Sequence, residues 1–304
     1  MAENLLNDFE VCDTARMSIE QLADTMNESF AGYFLPVTFT PPKYARFCRA
    51  YSIDLAQGLL ARHWDGRLVG LTMLGLRGER GWCGGFGIVP EFRGIGLGTW
   101  FCHKLVERGR EAGLTTLQLE VLTQNERAIR IYQQAGFQIT RDLAILSAPV
   151  STVLEELKSA YTVRMEISEV SLEEALHTAI RLEPALGFEP SWQREPASLY
   201  TTSGLRGIVA RRGGTALAVL IYEHTPETGR ITLQNLTFYN ESAAKALLER
   251  AAVNSKILRP QREDAPAEHF YVLNEPEHSE LFLLLSQLGL QETNRQHEMV
   301  IGLS

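Results

Sequence analysis

A short glycine-rich stretch with one arginine is the part of the sequence with the clearest chemistry. Arg93 is followed by Gly94, Gly96 and Gly98; an apolar strand over 82–89 precedes them and a helix with an apolar face follows. Glycine leaves backbone amides accessible to an anion, and the first turn of a helix directs its N–H groups and its positive dipole end the same way. With Arg93 as a fixed cation, the stretch predicts a pyrophosphate site.

Other glycine motifs fit this stretch less well. An ATP-type phosphate loop ends in Gly-Lys-Ser or Gly-Lys-Thr, whereas Gly98 precedes Thr99 and Trp100. A dinucleotide-binding turn has the spacing Gly-x-Gly-x-x-Gly, which differs from the alternation found here. The pattern present is Arg-x-x-Gly-x-Gly. A glycine-rich turn that does no more than begin a helix is the simpler alternative.

A second motif lies downstream in the chain. An alternating strand over 116–122 is followed by Asn125, by a helix that carries Ala128 and Tyr132, and by Gly136-Phe137 before the next strand. The two motifs, in this order and at this separation, resemble those of the GCN5-related N-acetyltransferase superfamily. The resemblance implies the acetyltransferase fold for the first half of the chain and acetyl-CoA as its cosubstrate.

The resemblance also implies roles for individual residues. The coenzyme arm would lie between two diverging strands, and a backbone amide, by position that of Ile88, would polarise the thioester carbonyl. Tyr132 matches the general acid that protonates the leaving thiolate, and Asn125 matches a residue close to the arm. The residues expected to hold acetyl-CoA are Phe86, Gly87, Ile88, Val89, Arg93, Gly94, Ile95, Gly96, Leu97, Gly98, Asn125 and Tyr132.

The general base is less clearly marked. Some family members carry a carboxylate on the strand before the loop, and 82–87 has none. Glu120 has apolar neighbours on the following strand, so burial would raise its pKa and suit it to accept a proton from an amine. A structural salt bridge is its alternative role. His63 and His103 are weaker candidates, and a water relay without a single base is a further alternative.

An aromatic segment interrupted by glycine and proline, 30–42, separates the first two predicted helices. In the superfamily the corresponding connection borders the acceptor site. We therefore expect Phe30, Tyr33 and Phe34 to line a pocket for the acceptor. The alternative is that these aromatic rings cap the hydrophobic core.

The order of predicted elements occurs twice. Residues 1–148 follow the order β-α-α-β-β-β-α-β-α-β, and residues 149–304 repeat it after a predicted linker at 148–152. The repeat includes a predicted strand over 161–167 and a proline-rich interruption over 184–196. The sequence thus predicts two tandem acetyltransferase-type α/β (α+β) domains, each with a mixed, mostly antiparallel central sheet flanked by helices.

The second copy lacks the phosphate loop. Its counterpart, 237–244, contains neither a glycine run nor an arginine, and Glu241 would repel a pyrophosphate. We therefore expect a degenerate domain that binds no coenzyme A. Three roles are open to it: completing the acceptor pocket, packing against the first copy, or forming a homodimer.

Composition limits the function classes. The 304 residues are 45% hydrophobic, which fits two globular domains, and the net charge of -8, concentrated in the second half, argues against nucleic acid as a partner. Residues 1–4 do not begin a secretory signal, and no apolar run reaches the roughly 18 residues of a membrane span. Four scattered cysteines show neither metal-ligand spacing nor a disulfide framework. A cytoplasmic protein without a metal and without a membrane partner is expected.

These observations favour an acetyl-CoA-dependent N-acetyltransferase. It would transfer the acetyl group to a primary amine of a small molecule by direct attack in a ternary complex. A non-catalytic acyl-CoA-binding regulatory module is the alternative. Tyr132 argues against that alternative, and the missing carboxylate over 82–87 argues for it.

Overall fold

The computed structural model describes residues 6–158, 165–182, 189–258 and 266–303. The chain divides into two compact units: unit 1 contains Met1–Arg141 and His297–Ser304, and unit 2 contains Asp142–Gln296. The sequence suggests a single break at residue 148. The division found differs from it because the C-terminal segment of the chain packs in unit 1.

Unit 1 has the element order expected from the sequence. Ser18 caps the first helix with the predicted capping box, in which its Oγ accepts from Gln21 N at 3.2 Å and its own N–H donates to Gln21 Oε1 at 3.0 Å. The elements are β1 (Phe9–Asp13), α1 (Ile19–Ser29), α2 (Pro41–Ala50), β2 (Leu59–His63), β3 (Leu68–Arg77), β4 (Arg80–Ile88), α3 (Leu97–Glu111), β5 (Thr116–Leu122), α4 (Glu126–Gln134) and the start of β6 (Gln138–Pro149).

The sheet of unit 1 follows the chain from β1 to β5. The pairs from β1 to β4 are antiparallel, and β4 and β5 are parallel. Residues 297–302, the end of β12 (Gln291–Gly302), lie beside β5. Helices α1 and α2 cover one face through Leu22, Met26 and Tyr44, and α3 covers the other through Leu105 and Val106. The mixed, mostly antiparallel sheet predicted for this half is confirmed.

Unit 2 repeats the order of unit 1. Its elements are the end of β6, α5 (Val150–Leu157), β7 (Glu166–Val170), α6 (Leu172–Leu182), α7 (Pro196–Thr201), β8 (Arg206–Arg212), β9 (Thr215–Thr225), β10 (Arg230–Phe238), α8 (Glu241–Leu258), β11 (His269–Pro276), α9 (Glu280–Gln287) and the start of β12. Strands β7 to β10 form an antiparallel run, and β10 and β11 are parallel. The second predicted sheet is therefore present as well.

The predicted linker at 148–152 is wrong. Ala148 and Pro149 complete β6, where Ala148 pairs with Phe270 of β11, and helix α5 begins at Val150. The spacing of Val150, Val153 and Leu157 places three apolar side chains on one face of that helix, and all three are buried in the core of unit 2. Packing therefore overrides the turn-like composition of this stretch.

Two predicted features of unit 2 lie partly outside the described residues. The predicted strand over 161–167 overlaps described structure only in β7, and residues 184–188 of the proline-rich interruption, including Phe188, are outside it. Within the described ranges, no helix has both the length and the apolar character needed to cross a membrane.

Candidate active site

The glycine loop joins β4 to α3. Gly94 (φ +91°) and Gly96 (φ +89°) have left-handed backbone, which costs any other residue about 1–2 kcal/mol. Gly96 is the N-cap of α3 and brings no side chain to the first turn, so the amides of Leu97 and Gly98 are left for another acceptor. A Cβ at Gly98 would lie 3.1 Å from Ile131 Cδ1. The loop is thus a bare backbone surface rich in N–H donors, and it fits a pyrophosphate.

Arg93 holds this loop in place. Its Nε donates to Ile88 O at 2.8 Å, and its Nη2 donates to Ser29 O at 3.0 Å and Ala31 O at 3.2 Å. The side chain therefore joins the end of β4 to the C-terminal end of α1. Burial, and the positive charge of Arg127 nearby, lower the pKa of this guanidinium. Arg93 supplies positive charge beside the loop, as predicted, but these hydrogen bonds go to the protein.

Strands β4 and β5 diverge before the loop. They pair at three positions, from Arg80–Thr116 to Trp82–Gln118, and β4 then continues to Ile88 beside β3 alone. Gly84 is the extra residue of a β-bulge in β4, and the Trp82 ring covers it so closely that a Cβ would lie 2.3 Å from Trp82 Cζ3. The divergence opens a gap along the second half of β4.

The hydrogen bonds to β3 identify the amides that face this gap. Val89 N donates to Val69 O at 2.9 Å, and the antiparallel register then turns Gly87 towards β3 as well. Phe86 and Ile88 consequently direct their N–H groups into the gap. The Ile88 amide is on the side that the resemblance requires, and the Phe86 amide is an equivalent geometric candidate. The assignment of the thioester carbonyl to Ile88 stays a prediction.

A cleft of about 530 Å³ lies along the glycine loop, β4, α4 and the aromatic segment. Most residues predicted to hold coenzyme or acceptor line it: Phe30, Tyr33, Phe34, Phe86, Gly87, Ile88, Arg93, Gly94, Gly96, Gly98 and Asn125. Val89 lines a neighbouring groove, Leu97 is fully buried, and Ile95 packs beside it. Tyr132 and Glu120 are outside the lining of the cleft.

The cleft also contains residues that the sequence analysis missed. Arg127 and Arg130 of α4 line it, together with Thr99 and Gln134. The Nη2 atom of Arg127 would lie 3.9 Å from a Cβ at Gly94, so this cation is close to the loop. The two arginines are three residues apart on a helix and therefore share a face, which is the sequence signal that could have identified them.

The aromatic segment contributes both to the cleft and to the core. Phe30 and Tyr33 meet edge to face with centroids 5.1 Å apart, and Tyr33 and Phe34 do so at 5.6 Å. Phe39 instead packs on the core of unit 1, where Asn27 exchanges two hydrogen bonds with its backbone at 2.8 and 2.9 Å. Part of the segment thus lines the cleft and part packs on the core, and a role in binding the acceptor stays a prediction.

Tyr132 is almost fully buried. Its ring lies edge to face against Phe86 at 5.7 Å and against Phe137 at 5.9 Å. Burial raises the pKa of the phenol well above its ordinary value, and the nearby Cys83 and Cys102 thiols raise it further. A phenol in this environment keeps its proton at neutral pH, as a general acid must before it acts. Its catalytic role stays a prediction.

Glu120 is half-buried and is oriented by an indole. Trp82 Nε1 donates to Glu120 Oε2 at 2.8 Å, and the Trp82 ring is in turn packed by Phe47 and Tyr51 at 6.2 and 5.5 Å. The carboxylate therefore lies where β4 and β5 stop pairing. The contact between Trp82 and Glu120 is a hydrogen bond from a neutral indole, so it is not the salt bridge considered as the alternative role of Glu120.

Neither histidine candidate lies in the cleft. His63 ends β2, and its Nδ1 is 3.0 Å from Asp65 Oδ1 in the β2–β3 turn. His103 is exposed on α3. Neither lines the cleft described above, so the structure does not bring them to the glycine loop.

Unit 2 differs at the position of the glycine loop. Helix α8 begins at Glu241, and Asn240 Oδ1 accepts from Ala243 N at 2.9 Å. A side chain thus satisfies an amide that glycine leaves open in unit 1. Glu241 also forms an ion pair with Lys245 at 2.5 Å. The start of this helix is therefore a poor anion site, as its sequence suggested.

The diverging strands of unit 2 are bridged by a buried arginine. β10 and β11 pair from Arg230–His269 to Thr232–Tyr271, and beyond that point Arg194 contacts both strands. Its Nε donates to Gln234 O at 3.0 Å, and its Nη1 pairs with Glu275. Both side chains of the pair are buried. In unit 2 this ion pair occupies the place that in unit 1 is an open gap.

Comparison with known proteins finds a family that the first unit resembles. Residues 20–137 match the model of the acetyltransferase (GNAT) family. An uncharacterized N-acetyltransferase, YdgE of Bacillus subtilis, is 42% identical over 55 residues, which are 18% of this chain and 35% of that protein. An uncharacterized N-acetyltransferase of Mycobacterium tuberculosis is 32% identical over 97 residues, 31% of this chain and 61% of that protein. The alignments thus span about one third and three fifths of these relatives.

Solved structures resemble the chain over nearly its whole length. A tandem GNAT protein from the clavulanic acid biosynthesis pathway has a TM-score of 0.68 at 14% identity, and the alignment covers 97% of this chain and 99% of that protein. A GCN5-related N-acetyltransferase from Sphaerobacter thermophilus has a TM-score of 0.66 at 15% identity, and the alignment covers 98% of this chain and 96% of that protein. At these identities the likeness establishes a shared fold.

Proposed function

Since residues 20–137 match the model of the acetyltransferase (GNAT) family, we propose that the chain transfers an acetyl group from acetyl-CoA to a primary amine of a small molecule. The observation that carries the proposal is the gap between β4 and β5, which ends at the glycine loop. A gap lined by backbone amides can hydrogen-bond the amide groups of the coenzyme arm, and the glycine loop can bind the diphosphate of the coenzyme. The four cysteines form no disulfide, which supports a reducing, cytoplasmic compartment.

The coenzyme fits this site on the evidence of its glycines. Side chains at Gly94 or Gly96 would strain the loop, because both residues have left-handed backbone. The amides of Gly96, Leu97 and Gly98 would hold the diphosphate, with Arg93 and Arg127 beside it. Bound acetyl-CoA supplies an activated acyl group, and the protein supplies position and charge.

Residues that line the gap or pack beside it divide the remaining chemistry. The Ile88 or Phe86 N–H donates to the carbonyl oxygen as negative charge develops on it. Glu120, held by Trp82, accepts the proton of the amine, and Tyr132 gives its proton to the departing sulfur. The amine attacks the thioester directly while both substrates are bound, so no acyl group is transferred to the protein.

The experiment is an assay of thiol release. The purified chain is incubated with acetyl-CoA and a panel of primary amines that includes aminoglycosides, polyamines, amino acids and arylamines. We expect amine-dependent release of coenzyme A, and initial-rate plots that intersect, as direct attack requires. Parallel plots would indicate an acyl-enzyme and contradict the ternary complex. Acetyl-CoA binding without turnover on any amine would favour the alternative, a non-catalytic acyl-CoA-binding module.

In this proposal the partner is a small molecule and not a nucleic acid or a membrane. Unit 2 contributes no second coenzyme site in this proposal, because Asn240 caps its helix and Arg194 bridges its strands. One acetyl-CoA per chain is the stoichiometry that follows.

A further inference from the structure

The proposed base and the proposed acid lie on opposite faces of the sheet of unit 1. On β5, three alternate residues pack in the core under α3: Leu117, Leu119 and Val121. Because successive side chains of a strand point to opposite faces, Glu120 points away from that core. Tyr132 belongs to the core under α3. Glu120 therefore lies on the face that α1 and α2 cover, and an amine that reaches it must approach on that face.

Two aromatic rings at the C-terminal end of α2 lie on this face next to the carboxylate. Phe47 is in the last turn of α2 and Tyr51 is its C-cap, and their rings meet edge to face with centroids 4.7 Å apart. Both rings also contact the buried indole of Trp82, which donates to Glu120. Phe47, Tyr51 and Glu120 are themselves only half-buried. Two partly accessible rings and one carboxylate thus surround a buried indole.

The second half of β4 is covered on the same face by α1. A Cβ at Gly87 would lie 2.6 Å from Ser29 Cβ at the end of α1. A Cβ at Gly85 would lie 2.6 Å from Met73 Cε, which belongs to the core that α1 and α2 share. This close packing leaves no room for an acceptor over that part of β4. The body of an acceptor whose amine is at Glu120 therefore lies against the end of α2 and not against α1.

We propose that the acceptor is a primary amine with an aromatic body, which binds against Phe47 and Tyr51 with its amine at Glu120. The inference rests on the proposed function and names the substrate class of that site. The two rings offer an aromatic body the edge-to-face and offset contacts that such groups prefer. They also attract the ammonium form before it loses its proton. One carboxylate beside two rings fits a single cation, whereas each further ammonium of a polyamine would need a counter-charge of its own.

The test measures thiol release with three amines: 2-phenylethylamine, 2-cyclohexylethylamine, which has a saturated ring of similar size, and spermidine. The variants are Phe47→Leu and Tyr51→Leu, which remove the aromatic rings and keep an apolar side chain. Tyr200→Leu is the matched control, because Tyr200 is an exposed aromatic residue on α7 of unit 2. The thermal midpoint of each variant checks that it folds, and calorimetry checks that it still binds acetyl-CoA.

We expect the wild type to have its highest kcat/KM with 2-phenylethylamine. Phe47→Leu and Tyr51→Leu should each raise the KM for this amine about threefold to tenfold, with acetyl-CoA affinity unchanged. Tyr200→Leu should change neither quantity.

Two results overturn the inference while the proposed function stands. One is a kcat/KM for spermidine or 2-cyclohexylethylamine that equals or exceeds that for 2-phenylethylamine. The other is an unchanged KM for 2-phenylethylamine in both folded variants. If the wild type releases thiol with no amine at all, the proposed function itself is contradicted, and this inference with it.

Discussion

Trp82 and Glu120 are joined by a hydrogen bond at the vertex of the two diverging strands of unit 1. Trp82 is the last residue of β4 that pairs with β5, and its Nε1 donates to Glu120 Oε2 at 2.8 Å. Trp82 is almost fully buried and Glu120 is half-buried. The indole therefore fixes a carboxylate beside the point where the gap begins, which is a suitable position for a group that removes a proton from an entering amine.

Glu120→Gln tests this role. It keeps the size of the side chain and an oxygen for Trp82 but removes the basic group. We expect kcat with a reactive amine to fall at least about 100-fold, with little change in acetyl-CoA affinity. Stopped-flow or steady-state thiol release measures it, and Glu79→Gln, exposed in the β3–β4 turn, is the control. A decrease of less than threefold would instead favour a water relay or an amine that binds already neutral.

Tyr132→Phe separates the proposed acid from the surrounding core. The ring contacts with Phe86 and Phe137 remain, so acetyl-CoA affinity should be kept while kcat falls about 100-fold. Full activity in this variant would rule out the phenol as the acid.

The same variant has a predicted effect on stability at high pH. The folded pKa of Tyr132 lies above the ordinary 10.0, so the stability it contributes is present below pH 10 and is lost as the pH rises towards the folded value. The unfolding free energy of Tyr132→Phe should therefore decline less than that of the wild type above pH 10. Parallel declines in urea titrations at pH 9 and pH 11 would contradict a buried, neutral phenol.

The four cysteines should be unreactive in the folded protein. Burial raises the pKa of Cys48 to about 11 and that of Cys83 to about 12, and it also raises those of Cys12 and Cys102. Ellman's reagent at pH 8 should therefore label the native protein slowly and label four thiols at once in denaturant, because the thiolate is the reactive form. Rapid labelling of any thiol in the native state would contradict this account.

Arg194 should stabilise unit 2. Replacing it with Met leaves the buried Glu275 carboxylate without its cation, and we expect a loss of about 3–5 kcal/mol in the unfolding free energy. Arg211→Met is the matched control, since Arg211 pairs with Glu174 near the surface and should contribute about 0–1 kcal/mol. Urea unfolding measures both variants. Equal effects of the two substitutions would show that the Arg194–Glu275 pair has no special role.

The sequence predicted the elements of unit 1 and the glycine loop because these depend on local rules. Gly94 and Gly96 need left-handed backbone, and Ser18 and Gln21 form a capping box within four residues. The contacts of Arg93 were not predictable in this way. Its partners at Ser29 and Ala31 are more than 60 residues away, so the three-carbonyl arrangement depends on tertiary packing.

The same limit applies to the pairs that complete the candidate site. Glu120 was selected for its apolar neighbours, but its donor Trp82 is 38 residues away on another strand. Tyr33 was assigned to the acceptor from its position after α1, and its place in the cleft beside Asn125 depends on how α4 packs. In unit 2 the glycine loop was correctly expected to be missing. Arg194, which lies within the proline-rich interruption over 184–196, gave no local sign that it would bridge β10 and β11.

The most direct test of the central claim is calorimetric titration of acetyl-CoA into the wild type, Gly94→Ala and Gly66→Ala. Gly66 is a suitable control because its φ is also +91° and a Cβ there would have no atom within 4 Å, yet it lies in the β2–β3 turn. We predict one acetyl-CoA per wild-type chain, binding at least about tenfold weaker in Gly94→Ala, and unchanged binding in Gly66→Ala. The absence of binding heat in the folded wild type, or equal affinity in all three proteins, would contradict the glycine loop as the coenzyme site.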